Sequence, residues 1–385
     1  MKVTYSLNGR IDSTNVTALE NDINTTFSAY SDTDSLEILF DASELKYISS
    51  AGLRVILKCA KKWPQTSVIN VSPEVYDIFD VTGFTSILDI QRVLREVNIE
   101  GLPLLGRGAN GSVYKLNDEQ IIKIYNPVIG TPEKIAREKE ASKQAFIHDI
   151  PTAISFETVR CGDGYGIIYE MINSSTLGQI IAENPAKMEE YAYKMADLLK
   201  KLNSTEFETG TLPDARLGLH SWVDISENSG YFSDEVIKRL RDDIDAITES
   251  NTFIHGDFHP GNIMLADGEL VLIDMTDASI GNPFIDLLGS FHIMKFISEK
   301  RPNSGMFYTG IPDDLLAQMW DIIFRSYSGI TGEAEKLEYE KMLRHYSLIR
   351  SLAGITFSKM VPKEEIPQLI KSASEYYLSN DISFK

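Results

Sequence analysis

The first hundred residues alternate between short strand-like and helix-like patterns. Residues 2–7 alternate polar and apolar side chains, 36–40 form a short apolar run that Asp41 ends, and 66–71 are rich in β-branched residues. Each of these patterns predicts a strand. Apolar residues recur at helical spacing in three further stretches, at 16–27, 53–60 and 73–79. Strands that alternate with helices predict a small α/β domain.

From residue 97 onward the pattern is at first mainly strand-like and then mainly helical. Strand-like segments at 112–116, 120–125 and 164–172 surround one helical stretch at 132–147. Two helical runs, 186–202 and 234–248, then precede a hairpin pattern at 263–274. Long helical patterns at 313–327 and 341–357 follow. This order predicts a second domain with a strand-rich beginning and a helical end.

Composition narrows the class of protein. The chain has 385 residues, a net charge of −19 and 43% apolar residues, so we expect about two or three globular domains. The acidic balance argues against a nucleic-acid partner and against an anionic membrane surface. The two cysteines, Cys59 and Cys161, form neither a disulfide framework nor a metal motif. No signal-peptide core or membrane-spanning apolar run is evident, so we predict a cytoplasmic protein.

The strongest chemical signal is the stretch HGDFHPGN at 255–262, which Asp274 follows in the next hairpin strand. Asp257 can orient a substrate hydroxyl and accept its proton. The amide oxygen of Asn262 and the carboxylate of Asp274 are hard oxygen ligands of the kind that Mg²⁺ prefers. Phosphoryl transfer depends mainly on positioning and charge neutralisation. These residues therefore predict an ATP- and Mg²⁺-dependent phosphotransferase.

Three glycines precede this stretch. Gly106, Gly108 and Gly111 lie between two strand-like segments, which predicts a glycine-bearing hairpin. A dinucleotide-binding fingerprint has the same spacing but leads from a strand into a helix. Glycines allow backbone N–H groups to approach phosphate closely, which favours an ATP-binding hairpin. An ordinary glycine-rich turn is the alternative.

Lys123 lies in the middle of the next strand, at the distance from the glycines at which protein-kinase-like folds have a phosphate-binding lysine. Such a lysine usually pairs with a glutamate on the following helix. Glu138 and Glu140 are the two candidates. We choose Glu138 because it shares a helix face with Ile135 and Ala145, whereas Glu140 lies on a charged face. Either could be only a solvated helix charge.

The ordered motifs H-x-D-x-x-x-x-N, I-D and G-x-P-x-x-D-L resemble the aminoglycoside phosphotransferase/choline kinase branch of the protein-kinase-like superfamily, over about 100–300. The resemblance implies that Asp257 is the catalytic base and that Asn262 and Asp274 hold metal ions. It also implies that His255 and Asp286 brace the catalytic loop.

The same resemblance implies a two-lobed α+β domain, with an N-lobe at about 97–172 and a helical C-lobe at about 173–385. Lys123, Glu138 and the three glycines would bind ATP. The hinge between the lobes would be the strand that ends at Glu170 and Ile172, whose backbone would bind adenine; a plain core strand is the alternative. Inserted and C-terminal helices would shape the acceptor pocket.

Two residues near the motif have competing interpretations. His259 could be a general base, but we favour a structural role because an aspartate already occupies the base position. Asp277 could be a further metal ligand or could cap a loop. Where protein kinases have Asp-Phe-Gly, this chain has Asp-Met-Thr at 274–276. The missing glycine argues against a protein kinase with a flipping activation segment.

The first domain resembles the STAS domain of anti-sigma factor antagonists, on the segments 36–62 and 75–90. In that family a serine at the start of a helix is phosphorylated, and Ser50 matches it. Ser49 stands where the family has an aspartate. A phosphate on Ser50 would meet free backbone N–H groups at the helix N-terminus. The alternative is that Ser49 or Ser50 is only a helix cap.

Together these patterns predict a STAS-like domain at 1–96 and a phosphotransferase domain at 97–385. The predicted reaction moves the ATP γ-phosphate to the hydroxyl of a small-molecule acceptor, and a protein could bind the STAS-like domain. One alternative is a partner-switching regulator whose kinase domain phosphorylates protein, and another is an ATP-binding pseudokinase. The acidic chain hints only weakly at a cationic acceptor.

Overall fold

The computed structural model describes residues 2–28, 30, 36–108, 110–127, 130–357, 362–380, 382 and 384. The chain divides into two compact units, Met1–Glu96 and Val97–Lys385. Each unit has a hydrophobic core of its own. The expected classes, an α/β unit followed by a two-lobed kinase-like unit with a helical C-terminal part, are confirmed.

The first unit is a parallel sheet with its strands in the order β1-β2-β3-β4. Its core includes the fully buried rings of Phe27, Phe40 and Trp63. The elements of this unit are β1 (Lys2–Ile11), α1 (Val16–Ser28), β2 (Glu37–Ile48), α2 (Ser50–Lys62), β3 (Thr66–Val71), α3 (Pro73–Val81), β4 (Asp89–Arg92) and the short β5 (Arg95–Glu96).

Strand β2 is longer than the apolar run predicts. It continues past Asp41 to Ile48, with Leu45 buried in the core. The Asp41 carboxylate accepts hydrogen bonds from Ser43 N–H (3.0 Å) and from the Asn70 side chain (3.1 Å). Because these bonds satisfy the carboxylate within the sheet, the aspartate does not end the strand. The prediction that β2 ends at Asp41 is wrong.

The N-terminal lobe of the second unit is an antiparallel sheet with strands in the order β9-β10-β8-β7-β6. One helix, α4, packs against β9 and β10. The side chain of Thr131 caps α4 by accepting from Lys134 N–H (3.4 Å). The elements are β6 (Leu104–Arg107), β7 (Gly111–Lys115), β8 (Gln120–Tyr125), α4 (Pro132–Ile147), β9 (Ser155–Cys161) and β10 (Gly164–Glu170). The predicted helix at 132–147 is confirmed.

The C-terminal lobe is mainly helical, with two short hairpin-like strand pairs, β11 with β14 and β12 with β13. A π-helical turn, His292–Phe296, joins α9 to α10. The elements are α5 (Leu177–Glu183), α6 (Met188–Ser204), α7 (Arg216–Asn228), α8 (Asp234–Asp245), β11 (Thr252–Ile254), β12 (Ile263–Ala266), β13 (Glu269–Leu272), β14 (Ser279–Gly281), α9 (Phe284–Phe291), α10 (Ile297–Lys300), α11 (Ser304–Thr309), α12 (Asp313–Ser328), α13 (Glu333–Thr356) and α14 (Ile366–Ser379).

Helix α13 begins at Glu333 instead of at residue 341. Its first turns contain Lys336 and Glu340, which are both buried although charged. Lys295 donates to both carboxylate oxygens of Glu340 at 2.9 Å. Paired charges face the core here, so hydrophobic periodicity does not reveal these turns. Among the described residues, no helix is long and apolar enough to cross a membrane.

Candidate active site

The loop that follows β11 is held by a buried carboxylate. Asp286, near the start of α9, is fully buried and accepts from the backbone N–H groups of His255 (3.2 Å) and Gly256 (2.8 Å). The side chain of Asn203 donates to the same carboxylate at 2.9 Å. Gly256 has a φ of 82°, a left-handed conformation that favours glycine. The Asp286 carboxylate therefore fixes the backbone of the loop that carries Asp257.

The imidazole rings of His255 and His259 form further hydrogen bonds within this loop. Asp257 N–H donates to His255 Nδ1 (3.3 Å). The other nitrogen of the His255 ring, Nε2, lies 3.3 Å from the carbonyl oxygen of Ile273. Gly261 N–H donates to His259 Nδ1 at 3.1 Å. Because that ring nitrogen accepts, the proton of a neutral His259 lies on Nε2, which is 3.3 Å from Asp257 Oδ2. His259 is thus a donor to the aspartate, which supports a structural role.

The two oxygens of Asp257 have different environments. Oδ2 accepts from Asn262 Nδ2 at 2.9 Å. Oδ1 is buried, has no hydrogen-bond partner in the described part of the chain, and lies 3.9 Å from Arg350 Nη1. Burial would raise the pKa of Asp257, but the neighbouring His259 and Arg350 outweigh it and hold the pKa well below its usual range. The carboxylate is ionised at neutral pH and has one oxygen free to accept.

Lys123 lies at the centre of a second cluster. Its Nζ donates to Glu138 Oε1 at 2.8 Å and to Asp274 Oδ1 at 2.9 Å. The structure places Glu138 there and not Glu140, which contacts Lys143 and Gln144. Burial would lower the pKa of Lys123, but the charges of Asp274 and Glu138 raise it above the ordinary value. Lys123 is therefore a cation at physiological pH.

Thr276 completes this cluster, and the sequence patterns did not single it out. Its hydroxyl lies 2.7 Å from Glu138 Oε2 and 2.5 Å from Asp274 Oδ1. A hydroxyl has one proton, so it can donate to only one of the two carboxylates. Lys123 must therefore keep the second carboxylate in place. The position two residues after Asp274 is the only signal that could have found Thr276.

The residues predicted to hold metal fit a magnesium site of few protein ligands. Asn262 Nδ2 donates to the backbone carbonyl oxygen (3.0 Å) and to the carboxylate of Asp257. The amide oxygen of Asn262 therefore points away from Asp257. Asp274 has a φ of 64° and uses Oδ1 for Lys123 and Thr276. The described ranges contain no group of three or more His, Cys, Asp or Glu that could hold a metal alone. Mg²⁺ usually keeps several waters and takes one or two carboxylates plus substrate phosphates.

The glycines of the hairpin have different structural reasons. A Cβ at Gly106 or Gly108 would meet nothing within 4 Å, so these positions leave open space. A Cβ at Gly111 would lie 2.0 Å from the carbonyl oxygen of Ile124 on the neighbouring strand β8. Gly111 is therefore required for strand packing, whatever its contact with ATP. The turn closes through Gly108 N–H, which donates to Gly111 O at 2.9 Å.

The predicted hinge residues follow β10. The Glu170 carboxylate accepts from Ile154 N–H at 2.7 Å, so this side chain is already engaged. Ile172 packs beside Ile273 against the small cluster around Tyr169. Tyr169 OH in turn donates to Glu138 Oε1 at 2.8 Å. An adenine contact at the hinge would have to use the backbone, as the sequence prediction states.

A cavity of about 330 Å³ opens beside the catalytic loop. Its walls come from α4, α7, the Thr276–Ser279 segment, α9 and α13, and they include Asp277 and Arg350. The Asp277 carboxylate makes no hydrogen bond with any described residue, so the loop-cap interpretation gains no support. It lies deep in the cleft but remains open to solvent. Burial, together with the charges of Asp257 and Asp274, raises the pKa of Asp277 to about 6.

The serine turn of the first unit is simpler. Ser49 is the N-cap of α2, and its hydroxyl accepts from Gly52 N–H at 3.5 Å. Ser50 is the first residue of the helix and is exposed. A Cβ at Gly52 would lie 2.6 Å from the Ile11 side chain, so close packing requires this glycine. Ser49 therefore takes the capping role and leaves the Ser50 hydroxyl on the surface.

Comparison with known proteins identifies both units. Residues 101–306 match the family model described as "Phosphotransferase enzyme family". The chain belongs to this family. Residues 2–97 of this phosphotransferase match the STAS domain model, so the resemblance of both units is confirmed. The Bordetella bronchiseptica protein BtrV, provisionally described as an anti-sigma factor antagonist, is 34% identical over 88 residues, which are 22% of this chain and 72% of BtrV.

Solved structures are similar to a more limited degree. The ADP-bound aminoglycoside phosphotransferase APH(2'')-Ib has a TM-score of 0.48 and 17% identity, over 73% of this chain and 93% of its own. A choline/ethanolamine kinase family protein from Mesorhizobium loti has a TM-score of 0.43 and 12% identity, over 72% of this chain and 89% of its own. No conclusion about the acceptor follows from these similarities.

Proposed function

We propose that this chain transfers the γ-phosphate of ATP to a hydroxyl group of a small molecule. The observation that carries the proposal is the convergence of two clusters. Lys123 donates hydrogen bonds to Glu138 and Asp274, and Asn262 donates one to Asp257, each with a donor–acceptor distance below 3 Å. One cluster offers a fixed cation for phosphates, and the other offers an ionised carboxylate with a free oxygen. Phosphoryl transfer requires these two features side by side.

Asp257 is the proposed base. Its unpartnered Oδ1 would accept the proton of the acceptor hydroxyl while the hydroxyl oxygen forms a bond to the γ-phosphorus. The bond between the γ-phosphorus and the β,γ-bridging oxygen breaks, and ADP leaves with that oxygen. His259 and Asn262 keep the carboxylate aimed by bonding its other oxygen. The low pKa of Asp257 suits a base that orients the hydroxyl and takes the proton late.

The nucleotide would lie between the glycine hairpin and the hinge backbone of Glu170 and Ile172. Lys123 would contact its phosphates, and Glu138 would keep the lysine in place. Asn262 and Asp274 would hold Mg²⁺, which neutralises phosphate charge when bound. Asp286 and His255 would support the loop without reacting.

The test of this proposal is Asp257→Asn. We expect ADP release with a panel of hydroxylated metabolites and aminoglycosides to fall about 10²- to 10⁴-fold in kcat, because the general base is lost. ATP binding, measured by titration calorimetry, should persist. The matched control is Asp267→Asn in the turn between β12 and β13, an αL position (φ 50°) that asparagine also adopts. This control should keep wild-type activity.

A wild-type protein that binds ATP but transfers phosphate to none of the acceptors, and an Asp257→Asn variant that changes nothing, would refute the enzyme and support a pseudokinase. The ion pairs of Lys123 with Glu138 and Asp274 argue against a pseudokinase, because they keep the lysine charged and in a fixed position for phosphate binding.

A second candidate function is phosphorylation of protein, with the STAS domain as regulatory or interaction module. Its specific support is the exposed Ser50 hydroxyl on the first turn of α2, where a phosphate would meet the positive end of the helix. Incubation with ³²P-labelled ATP followed by mass spectrometry tests it. Label on Ser50, lost in Ser50→Ala, would favour this function. Ser50 without label under conditions that label a small molecule would exclude self-phosphorylation at this serine.

A further inference from the structure

The cavity beside Asp257 has an excess of cations in a chain whose net charge is −19. Lys134 and Arg137 reach it from α4, and Arg350 reaches it from α13. Neither Lys134 nor Arg137 makes an ion pair with any residue that the structure describes. Lys134 and Arg137 are exposed, and three cations around one small space favour a ligand of opposite charge.

Arg350 is the best placed of the three. Its guanidinium lies 5.3 Å from the ring centroid of Trp222, a cation–π contact that orients the side chain. Its shortest approach to a carboxylate is 3.9 Å, to Asp257 Oδ1, which is too long for a hydrogen bond. The side chain is 34% exposed. Arg350 is therefore held in position while its N–H donors stay available.

The other titratable groups of the cavity do not cancel this charge. Asp214 is already bound by Arg216 at 2.6 Å. His292 is buried, and burial, followed by the nearby Arg350, lowers its pKa to about 3, so it is neutral. Among the described lining residues Asp277 is the one remaining acid, and it stands against three cations. The cavity thus keeps a positive surplus beside the base.

We propose that the acceptor carries an anionic group, a phosphate or a carboxylate, close to the hydroxyl that is phosphorylated, and that Arg350 binds this group. This inference rests on the proposed function, because it places the acceptor next to Asp257. The guanidinium fork bonds phosphate and carboxylate oxygens in pairs, which positions the ligand as well as attracting it. A volume of about 330 Å³ suits a small metabolite. A polycationic aminoglycoside would face repulsion here.

The first test compares small acceptors that share a three-carbon hydroxylated skeleton and differ in their charged group. Glycerol, glycerate and glycerol 3-phosphate form one set, and kanamycin represents cationic acceptors. We expect transfer to the anionic members, with KM at least about tenfold lower than for glycerol, because charge-assisted bonds are added. Carboxylate and phosphate are separate arms, so the better one identifies the group. Equal KM for glycerol and both anions would overturn the inference and leave the phosphotransferase intact.

The second test uses variants of Arg350. Arg350→Gln should raise KM for the preferred anionic acceptor about 10- to 100-fold with a smaller change in kcat, because the lost contact is made before and during the reaction. Arg350→Lys should recover part of the loss. The matched control is Arg344→Gln on the same helix. Arg344 has the same side-chain exposure, 34%, but pairs with Glu299 away from the cavity. This control should leave KM unchanged.

If Arg350 only positioned Asp257, the variant would lower kcat for charged and neutral acceptors alike and leave their KM ratio constant. That result would overturn the inference. A binding measurement covers the case in which no tested acceptor reacts. Sulfate is titrated into protein saturated with a non-hydrolysable ATP analogue and Mg²⁺, so that the nucleotide site is filled. Binding that Arg350→Gln weakens at least about tenfold, and Arg344→Gln does not, supports the inference. No binding at 50 mM sulfate, or equal binding to both variants, overturns it, whereas failure to bind the ATP analogue would refute the proposed function.

Discussion

Two neighbouring regions of the second unit treat charge in opposite ways. In the lysine cluster, defined as Lys123, Glu138, Asp274 and Thr276, each of the four side chains has a hydrogen-bond partner within 3 Å. In the cavity beside it, Arg350 has no hydrogen-bonded anion, and the Asp277 carboxylate bonds to none of the described residues. The charges of the first region are paired within the protein, whereas Arg350 and Asp277 in the second region have no hydrogen-bonded partner of opposite charge among the described residues.

This difference separates stability from binding. A buried ion pair that loses one member leaves an uncompensated charge, and the folded state is penalised. A partly exposed side chain without a protein partner can be replaced at small cost to folding. Substitutions in the lysine cluster should therefore reduce both stability and nucleotide binding, and substitution of Arg350 in the cavity should act mainly on acceptor binding.

The largest expected effect on stability comes from Lys123→Met. The side chains of Lys123 and Glu138 are 11% and 1% exposed, and the change leaves Glu138 and Asp274 facing each other without a cation. We expect the free energy of unfolding of this unit to fall by about 3 kcal/mol. Scanning calorimetry measures it on the transition that ATP shifts in the wild type. ATP affinity should fall as well.

Lys295→Met is the matched control for this prediction. Lys295 pairs with the buried Glu340 at 2.9 Å in the C-terminal lobe, away from the nucleotide. We expect a comparable loss of stability with unchanged ATP affinity. If Lys123→Met were as stable as the wild type, the charge pairing in the lysine cluster would not contribute to the stability of the fold.

Thr276→Val should have a smaller effect of the same kind. It keeps the shape of the side chain but removes the hydroxyl that lies 2.7 Å from Glu138 Oε2, which is then buried without a donor. We expect a loss of about 1–2 kcal/mol in the free energy of unfolding, together with weaker ATP binding. Thr276→Ser restores the hydroxyl and should recover most of both. A valine variant with wild-type stability would show that Lys123 alone satisfies the two carboxylates.

The same contrast explains what the sequence could predict. Lys123 and Glu138 were found because each obeys a local rule, one at a fixed distance from the glycines and the other on an apolar helix face. The motif that contains Asp257 and Asn262 is continuous in sequence, so its geometry follows from one loop. Their catalytic and metal-binding roles remain predictions. For Ser49 and Ser50 the sequence left the cap open, and the structure assigns it to Ser49.

Arg350 could not be found in this way. It lies on α13, far along the chain from the catalytic loop, and in the sequence it is one more charged residue on a helix. Its place beside Asp257 depends on how α13 packs against α7 and α9, which no local pattern encodes. Helix α7 was itself not predicted. Long-range packing therefore decides the acceptor side, whereas local rules reveal much of the nucleotide side.

The smallest predicted effect concerns the pH dependence of Asp277. Its pKa of about 6 in the folded chain is above the ordinary value of 3.8, so the folded state binds the proton more tightly than the unfolded state. The stability that this proton contributes is complete below about pH 4 and is lost as the pH rises from about 4 to about 6. Asp277 is open to solvent, so we expect a change of no more than about 1 kcal/mol.

Asp277→Asn should remove this dependence. The measurement is urea unfolding between pH 4 and pH 7 in EDTA without nucleotide, taken as the difference between wild type and variant so that other groups cancel. The difference should favour the variant increasingly up to about pH 6 and then stay constant, because only the wild type acquires a charge near Asp257 and Asp274. Asp267→Asn, on an exposed turn, should show no such trend. A flat difference for Asp277→Asn would mean that solvent screens this carboxylate fully, and the cavity would then have one more permanent negative charge against its three cations.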